Sequence, residues 1–221
     1  MRLVVFDLDR TLLSGDSDVL WCEFLLARGL LDRASFAARN AEVESGYREG
    51  RITPQVFCEF YLSTLAGRSR AQLDPLREIF MRECITPRIA PSARELVQAH
   101  RKAGELLVLS TATNRYLTDL TADELGFEHV IATEPEELEG VFTGRANGIL
   151  NMREGKPLRL RDWLATVRLP ANLLEEATFY SDSINDLPLL QMVLDPVAVD
   201  PDARLLDHAR AQDWRVLRLQ R

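Results

Sequence analysis

The chain has 221 residues, 46% of them hydrophobic and 28% charged, a balance that fits a soluble globular protein and excludes a disordered or membrane-embedded one. The formal net charge of −7 argues against nucleic acid as a partner, because phosphate backbones are bound by clustered Lys and Arg. No apolar run reaches a transmembrane length and Leu3–Phe6 is too short for a signal-peptide core, so no membrane partner is expected and the cytoplasm is the expected compartment. Cys22, Cys58 and Cys84 lack CxxC spacing and are expected as buried thiols, not as a disulfide framework or a zinc site.

Leu3-Val4-Val5-Phe6 predicts a short buried strand, which Asp7-Leu8-Asp9-Arg10-Thr11-Leu12 closes. From Gly15 to Arg88 no strand pattern follows, and four helical stretches are predicted instead. The first covers 17–28 with Gly29 as its cap, and the second 32–49 with Gly50 behind it. Thr53-Pro54 opens the third, which Gly67 closes, and Ser69 opens the fourth, which ends before Pro87. Beyond Ala90 apolar runs alternate with amphipathic stretches, the pattern of a parallel sheet covered by helices. Strands are predicted over 106–109, 129–132, 178–180, 197–199 and 214–219, and helices over 91–104, 114–125, 156–167, 185–193 and 201–211. Gly140, Gly144 and Gly148 mark a hairpin or flap within 138–150. The length suits one domain with a large insertion or two small domains. A helical insertion directly after the first strand would sit over the carboxyl ends of the strands, where such sheets bind ligands.

Three segments at or near strand ends carry candidate chemistry. Asp7 and Asp9 share a side at the end of the first strand while Leu8 points into the fold. Two adjacent carboxylates repel, so the pair asks for a divalent cation or an acid/base task; the ordinary alternative is an acidic turn. Ser110-Thr111-Ala112-Thr113 ends a strand just before a helix, where hydroxyls and free N–H groups bind a phosphate oxygen or simply cap the helix. Ser181-Asp182-Ser183-Ile184-Asn185-Asp186 again brings two acids to a helix start, as a site or as an acidic capping segment. Lys156, between Gly155 and Pro157, is the weakest signal, since a lysine at a helix start is usually solvated.

Together these residues resemble the haloacid dehalogenase superfamily of phosphohydrolases, whose motifs are DxDx[TV], a Ser or Thr after the second strand, a Lys, and an acidic DxxxD-type segment. Asp7-Leu8-Asp9-Arg10-Thr11, Ser110, Lys156 and Asp182-Ser183-Ile184-Asn185-Asp186 occur in that order across essentially the whole chain. The helical insertion is similar to the cap of the subgroup that contains phosphoserine phosphatase. Arg10 stands where Gly is common, and Ser181-Asp182-Ser183-Ile184-Asn185-Asp186 replaces the common GDGxND. The resemblance implies an α/β fold, a Rossmann-like parallel three-layer sandwich core (1–14 and 89–221) with an inserted four-helix-bundle cap domain (15–88). It implies that Asp7 attacks phosphorus to form an aspartyl phosphate and that Asp9 is the general acid and base. It further implies Mg²⁺ on Asp7, the Asp9 carbonyl and Asp182, with Asp186 behind that shell, and a phosphoryl group held by Ser110, the Thr111 N–H and Lys156. Asn185 is expected to bind substrate or phosphate. The expected partner is a small-molecule phosphate ester; the oligomeric state is open. A phosphotransferase and a regulatory module that binds phosphorylated ligands without turnover are the competing classes.

For the substrate, the position nine residues after the nucleophile, which binds the amine in phosphoserine phosphatases, is Asp16 here. An ungapped reading from Glu49-Gly50-Arg51-Ile52 puts Glu59 where those enzymes have the Arg that binds the carboxylate. Asp16 and Glu59 together predict a cationic amine without an acid, as in histidinol phosphate or another amino-alcohol phosphate. The alternatives are that Glu59 is a solvated helix residue read in a slipped register, or that Arg48 or Arg51 supplies the cation and phosphoserine is the substrate.

Overall fold

In a computed structural model, in which residues 2–48 and 51–219 are described, β1 (Leu3–Phe6) occupies the middle of a sheet and every one of its side chains is buried. Leu3 and Val5 join one apolar cluster and Val4 and Phe6 another, so the two-residue period of the strand feeds both faces of the sheet. The neighbours are β2 (Leu106–Asn114) and β5 (Thr178–Ser181), both parallel to β1, and outward lie β3 (His129–Leu138), β6 (Asp195–Val199) and β7 (Arg215–Leu217), also parallel. Among the described strands only β4 (Val141–Asn147) runs antiparallel, at the edge beyond β3, in the order β4-β3-β2-β1-β5-β6-β7. α5 (Pro91–Lys102) and α6 (Arg115–Leu125) cover one face through Val97, Tyr116 and Leu125. α7 (Gly155–Thr166), the single turn α8 (Leu187–Leu190) and α9 (Ala203–Ala211) cover the other through Leu160, Leu189 and Leu205. The core is therefore the expected α/β three-layer arrangement.

Between β1 and β2 lie α1 (Ser17–Ala27), α2 (Arg33–Arg48), α3 (Pro54–Leu62) and α4 (Arg70–Phe80). Their punctuation follows the sequence: Thr53 caps α3 by accepting from the Val56 N–H, and Ser69 and Gln72 form a capping box at α4. Gly67 turns the chain at φ +74. Trp21, Phe24 and Phe80 pack ring on ring at 5.1 to 5.5 Å, and Trp21 Nε1 donates to Thr64 Oγ1 at 3.1 Å. Truncating an indole buried this fully costs about 3–5 kcal/mol. The same cluster continues into Phe6, Leu109 and Tyr116, so the insertion and one face of the sheet share a hydrophobic interior.

Several expected boundaries differ. The strand predicted over 129–132 runs on to Leu138: its outer half, Glu134-Pro135-Glu136-Glu137, has poor strand propensity but is held extended by pairing with β4. The expected hairpin lies here, turning at Glu139 (φ 52) and Gly140 (φ 77), the two positive values of a type I′ turn. The helix predicted over 185–193 shrinks to a 3₁₀ turn, Ile184–Asp186, followed by α8. α4 is followed by a π turn, Met81–Ile85, and a 3₁₀ turn, Thr86–Arg88. Only Cys22 of the cysteines is buried; Cys58 and Cys84 are partly exposed. Gly50, expected behind the second helix, lies outside the described residues. Among the described residues no helix is long and apolar enough to cross a membrane.

Candidate active site

β1 ends at Phe6, so Asp7 opens the loop beyond it, and its N–H donates to the Tyr180 carbonyl at 2.9 Å. Leu8 is fully buried, while Asp7 and Asp9 both line one cavity of about 180 Å³ at the carboxyl ends of the strands. Lys156, at the start of α7, is buried rather than solvated: its Nζ donates to Asp7 Oδ1 at 2.7 Å and to Asp186 Oδ2 at 2.6 Å. Ser181 Oγ also donates to Asp186 Oδ2, at 2.7 Å. Thr11 Oγ1 lies 3.0 Å from Asp7 Oδ2 and 3.3 Å from Asp182 Oδ1, and it accepts from the Asp182 N–H at 3.0 Å. Thr11, the DxDx[TV] threonine, thus ties the first acidic segment to the last.

This floor holds more negative charge than one lysine offsets. Burial pushes the Asp7 carboxyl well above its usual range; Lys156 opposes that shift, while Asp186, Asp182 and Asp9 add to it. Asp182 is pushed up to about 7 by burial and then by Asp186, with Arg10 and Lys156 acting against. Burial favours loss of the Lys156 proton, but Asp186 and Asp7 outweigh it and the ammonium is held more tightly than usual.

Asp9 is fixed from two sides. Its Oδ1 accepts from the Ser17 N–H at 2.7 Å and from Ser17 Oγ at 2.6 Å. Its Oδ2 accepts from Thr111 Oγ1 at 3.2 Å and Thr113 Oγ1 at 2.6 Å. Thr111 and Thr113 share a side because β2 continues through Asn114. Ser110 therefore faces away: it is fully buried, and its Oγ accepts from Asn151 Nδ2 at 3.1 Å. Ser110, expected to bind phosphate, is not brought to the cavity because of this one-residue change of side, and the hydroxyls of Thr111 and Thr113 meet Asp9 instead. The Ser110-Thr111-Ala112-Thr113 run contained that signal, but the phase of the strand was not fixed by the sequence.

The rest of the cavity comes from the insertion and from α7's approach. Asp16 lines it and is committed elsewhere: Oδ1 caps α1 by accepting from the Val19 N–H at 3.2 Å, and Oδ2 pairs with Arg10 Nη1 at 3.3 Å. Burial, then Asp9, raises Asp16 to about 6, with Arg10 opposing. Asp18, which sequence reading missed as an ordinary acid in a helix first turn, also faces the cavity. Tyr47 stacks on Phe57 at 4.3 Å, Phe57 meets Tyr61 edge-on at 5.3 Å, and the Arg153 guanidinium lies 4.6 Å over Tyr47. Asn185, expected to bind substrate or phosphate, is exposed and lines the cavity. Glu59 does not reach it. Phe57 and Tyr61, four apart on α3, turn one helix face inward, so Glu59 between them points outward into a separate groove beside Phe36 and Phe60. There it accepts from Gln55 Nε2 at 2.6 Å. Arg51 is exposed and does not line the cavity, and Glu49, Gly50 and the Arg48 side chain lie outside the described residues.

The oxygen donors suit a hard cation. Among the described residues no three acidic, histidine or cysteine side chains converge on one point, but Asp7 and Asp182 meet across Thr11. Mg²⁺ is commonly held by one or two carboxylates and keeps several waters, so this pair fits it in number and in charge.

The family model of haloacid dehalogenase-like hydrolases matches residues 4–191. Histidinol-phosphatase of Neisseria meningitidis serogroup C is 38% identical over 217 residues, covering 98% of this chain and 98% of its own length. A phosphoserine phosphatase of Mycobacterium tuberculosis is 35% identical over 221 residues, covering 96% of this chain and 68% of its own. A solved protein of unknown function from Bordetella pertussis Tohama I superposes with a TM-score of 0.93 at 41% identity, over 98% of both chains. The chain belongs to the haloacid dehalogenase-like hydrolases, and its reaction is the hydrolysis of phosphoric monoesters.

Proposed function

We propose that this phosphatase hydrolyses an amine-bearing phosphate ester without a carboxylate, histidinol phosphate or a related amino-alcohol phosphate, through an aspartyl phosphate on Asp7. The observation that carries this reading is the part of the cavity lining supplied by the insertion, where the carboxylates of Asp16 and Asp18 and the aromatic rings of Tyr47, Phe57 and Tyr61 line the same space as Asp7 and Lys156. Acid attracts an ammonium, and rings accept a flat heterocycle by stacking. The similarity to a histidinol-phosphatase over nearly the full length of both chains supports the same choice.

In this reading residues 15–88 form the cap and supply that lining. Asp7 attacks phosphorus in line, the P–O bond to the alcohol breaks, and water later releases phosphate from the carboxylate. Asp9 gives the alcohol its proton and afterwards takes one from the water; its hydrogen bonds to Ser17, Thr111 and Thr113 hold it in one orientation for both transfers. Lys156, locked between Asp7 and Asp186, offsets charge on the nucleophile and on the phosphoryl oxygens. Asp7, Asp182 and the Asp9 carbonyl would hold Mg²⁺, which when bound supplies the positive charge that lets a carboxylate meet a phosphate dianion.

Phosphoserine hydrolysis is the second reading, favoured by Arg153, a cation on the cavity wall able to pair with a substrate carboxylate. Steady-state kinetics with Mg²⁺ on both esters decides. Histidinol phosphate should exceed phosphoserine in kcat/KM by about tenfold or more. A preference for phosphoserine overturns the amine-without-acid reading.

A further inference from the structure

The resemblance to phosphoserine phosphatases puts the substrate amine on Asp16, and the geometry does not. Both Asp16 oxygens are engaged, one as the cap of α1 and the other with Arg10. Asp18, in the first turn of α1 and also on the cavity wall, differs. Its Oδ1 accepts from Asn114 Nδ2 at 3.0 Å, and Asn114 is itself held as the cap of α6, its Oδ1 accepting from the Leu117 N–H at 3.1 Å. Among the described residues the Asp18 carboxylate makes no other hydrogen bond and no ion pair, which leaves Oδ2 open on a wall of the cavity.

We propose that Asp18, not Asp16, is the specificity-determining residue that receives the ammonium group of the substrate. This rests on the reading above that the substrate carries an amine. Asn114 presents the carboxylate at a fixed angle, so one oxygen is anchored and the other is aimed. Burial, reinforced by Asp16 and Asp9, makes an uncompensated charge at Asp18 costly, and no cation among the described residues offsets it. An ammonium arriving with the substrate supplies that missing partner in a site with restricted water, where a charged hydrogen bond is strong. An ester lacking the amine leaves the carboxylate uncompensated, so the penalty against it is part of the selectivity.

The test compares histidinol phosphate with its analogue lacking the amine, on the full chain with Mg²⁺. Both esters meet the same preparation, so the ratio of their kcat/KM values is independent of how much enzyme is folded. The wild-type ratio should be on the order of tenfold or more in favour of the amine. Asp18→Asn should bring it near one, chiefly through KM for the amine-bearing ester. Asp18→Glu, which restores the charge one methylene further out, should recover part of it. Asp16→Asn should keep most of the ratio, since asparagine caps a helix as well as aspartate does. A ratio that survives Asp18→Asn but collapses in Asp16→Asn overturns this inference and leaves the substrate reading standing. A wild-type ratio near one overturns both.

Discussion

On the floor of the cavity, Lys156 bridges Asp7 and Asp186 at 2.7 and 2.6 Å, Thr11 links Asp7 to Asp182, and each group is fixed by another that also belongs to the site. On the wall, Tyr47, Phe57 and Tyr61 come from α2 and α3, and what they offer a ligand is shape and ring faces rather than fixed polar atoms. The floor stands on the ends of β1, β2 and β5, whose registers are locked by the sheet; the wall stands on helices whose orientation depends on packing. In the proposed reading the chemistry stands on the ends of the strands and the choice of substrate on the inserted helices.

Substitutions on the two sides should therefore fail differently. The largest effect belongs to Asp7→Asn, which removes the proposed attacking oxygen at nearly constant volume and should lower kcat by on the order of 10⁴-fold or more on every ester while binding persists. Comparable turnover in that variant would remove Asp7 from the reaction. Lys156→Met leaves Asp7 and Asp186 buried without their cation, so kcat should fall about 10²–10³-fold and, in metal-free buffer, urea unfolding should show a loss of about 3–5 kcal/mol. Unchanged stability would mean that the buried triad contributes nothing to the fold.

Asp182→Ala should raise the Mg²⁺ concentration needed for half-maximal activity by about 10–100-fold, and excess EDTA should stop the wild type. A superimposable metal titration would take Asp182 out of the cation site. Asp16 gives a smaller, pH-dependent effect. Its folded value of about 6 exceeds the ordinary 3.8, so its contribution to stability is complete below about 4 and is lost as pH rises through 6. Asp16→Asn should flatten that part of the Tm-against-pH curve, and parallel curves for the two proteins would contradict it. Glu59→Arg should change the histidinol phosphate to phosphoserine ratio by less than about twofold, since Glu59 faces the outer groove. A large change would return Glu59 to the substrate site.

What could be read in the sequence follows the same division. Asp7, Asp9, Asp182 and Asp186 were legible because acids directly after apolar strands have few structural uses, whereas Lys156 at a helix start was legible only through the family motif order; the structure brings all five to one cavity. The side of β2 was not legible: Ser110 and Thr111 are both hydroxyls, and only the strand's continuation to Asn114 decides which points at Asp9. The phase of α3 was hidden because Val56, Phe57, Phe60, Tyr61 and Leu62 spread apolar surface around much of the helix, so Glu59 could be assigned to either face. Asp18 escaped notice because an acid in a first turn already has an ordinary explanation, favourable interaction with the helix dipole. The outer half of β3 was hidden by its glutamates and proline, which only pairing with β4 holds extended.

The most direct test of the account is to quench the enzyme with acid during turnover of labelled histidinol phosphate, digest it, and locate the label by mass spectrometry. The account predicts a phosphorylated peptide containing Asp7, present in the wild type and absent in Asp7→Asn. A label on any other residue, or none while a burst of histidinol outruns the formation of inorganic phosphate, would contradict it.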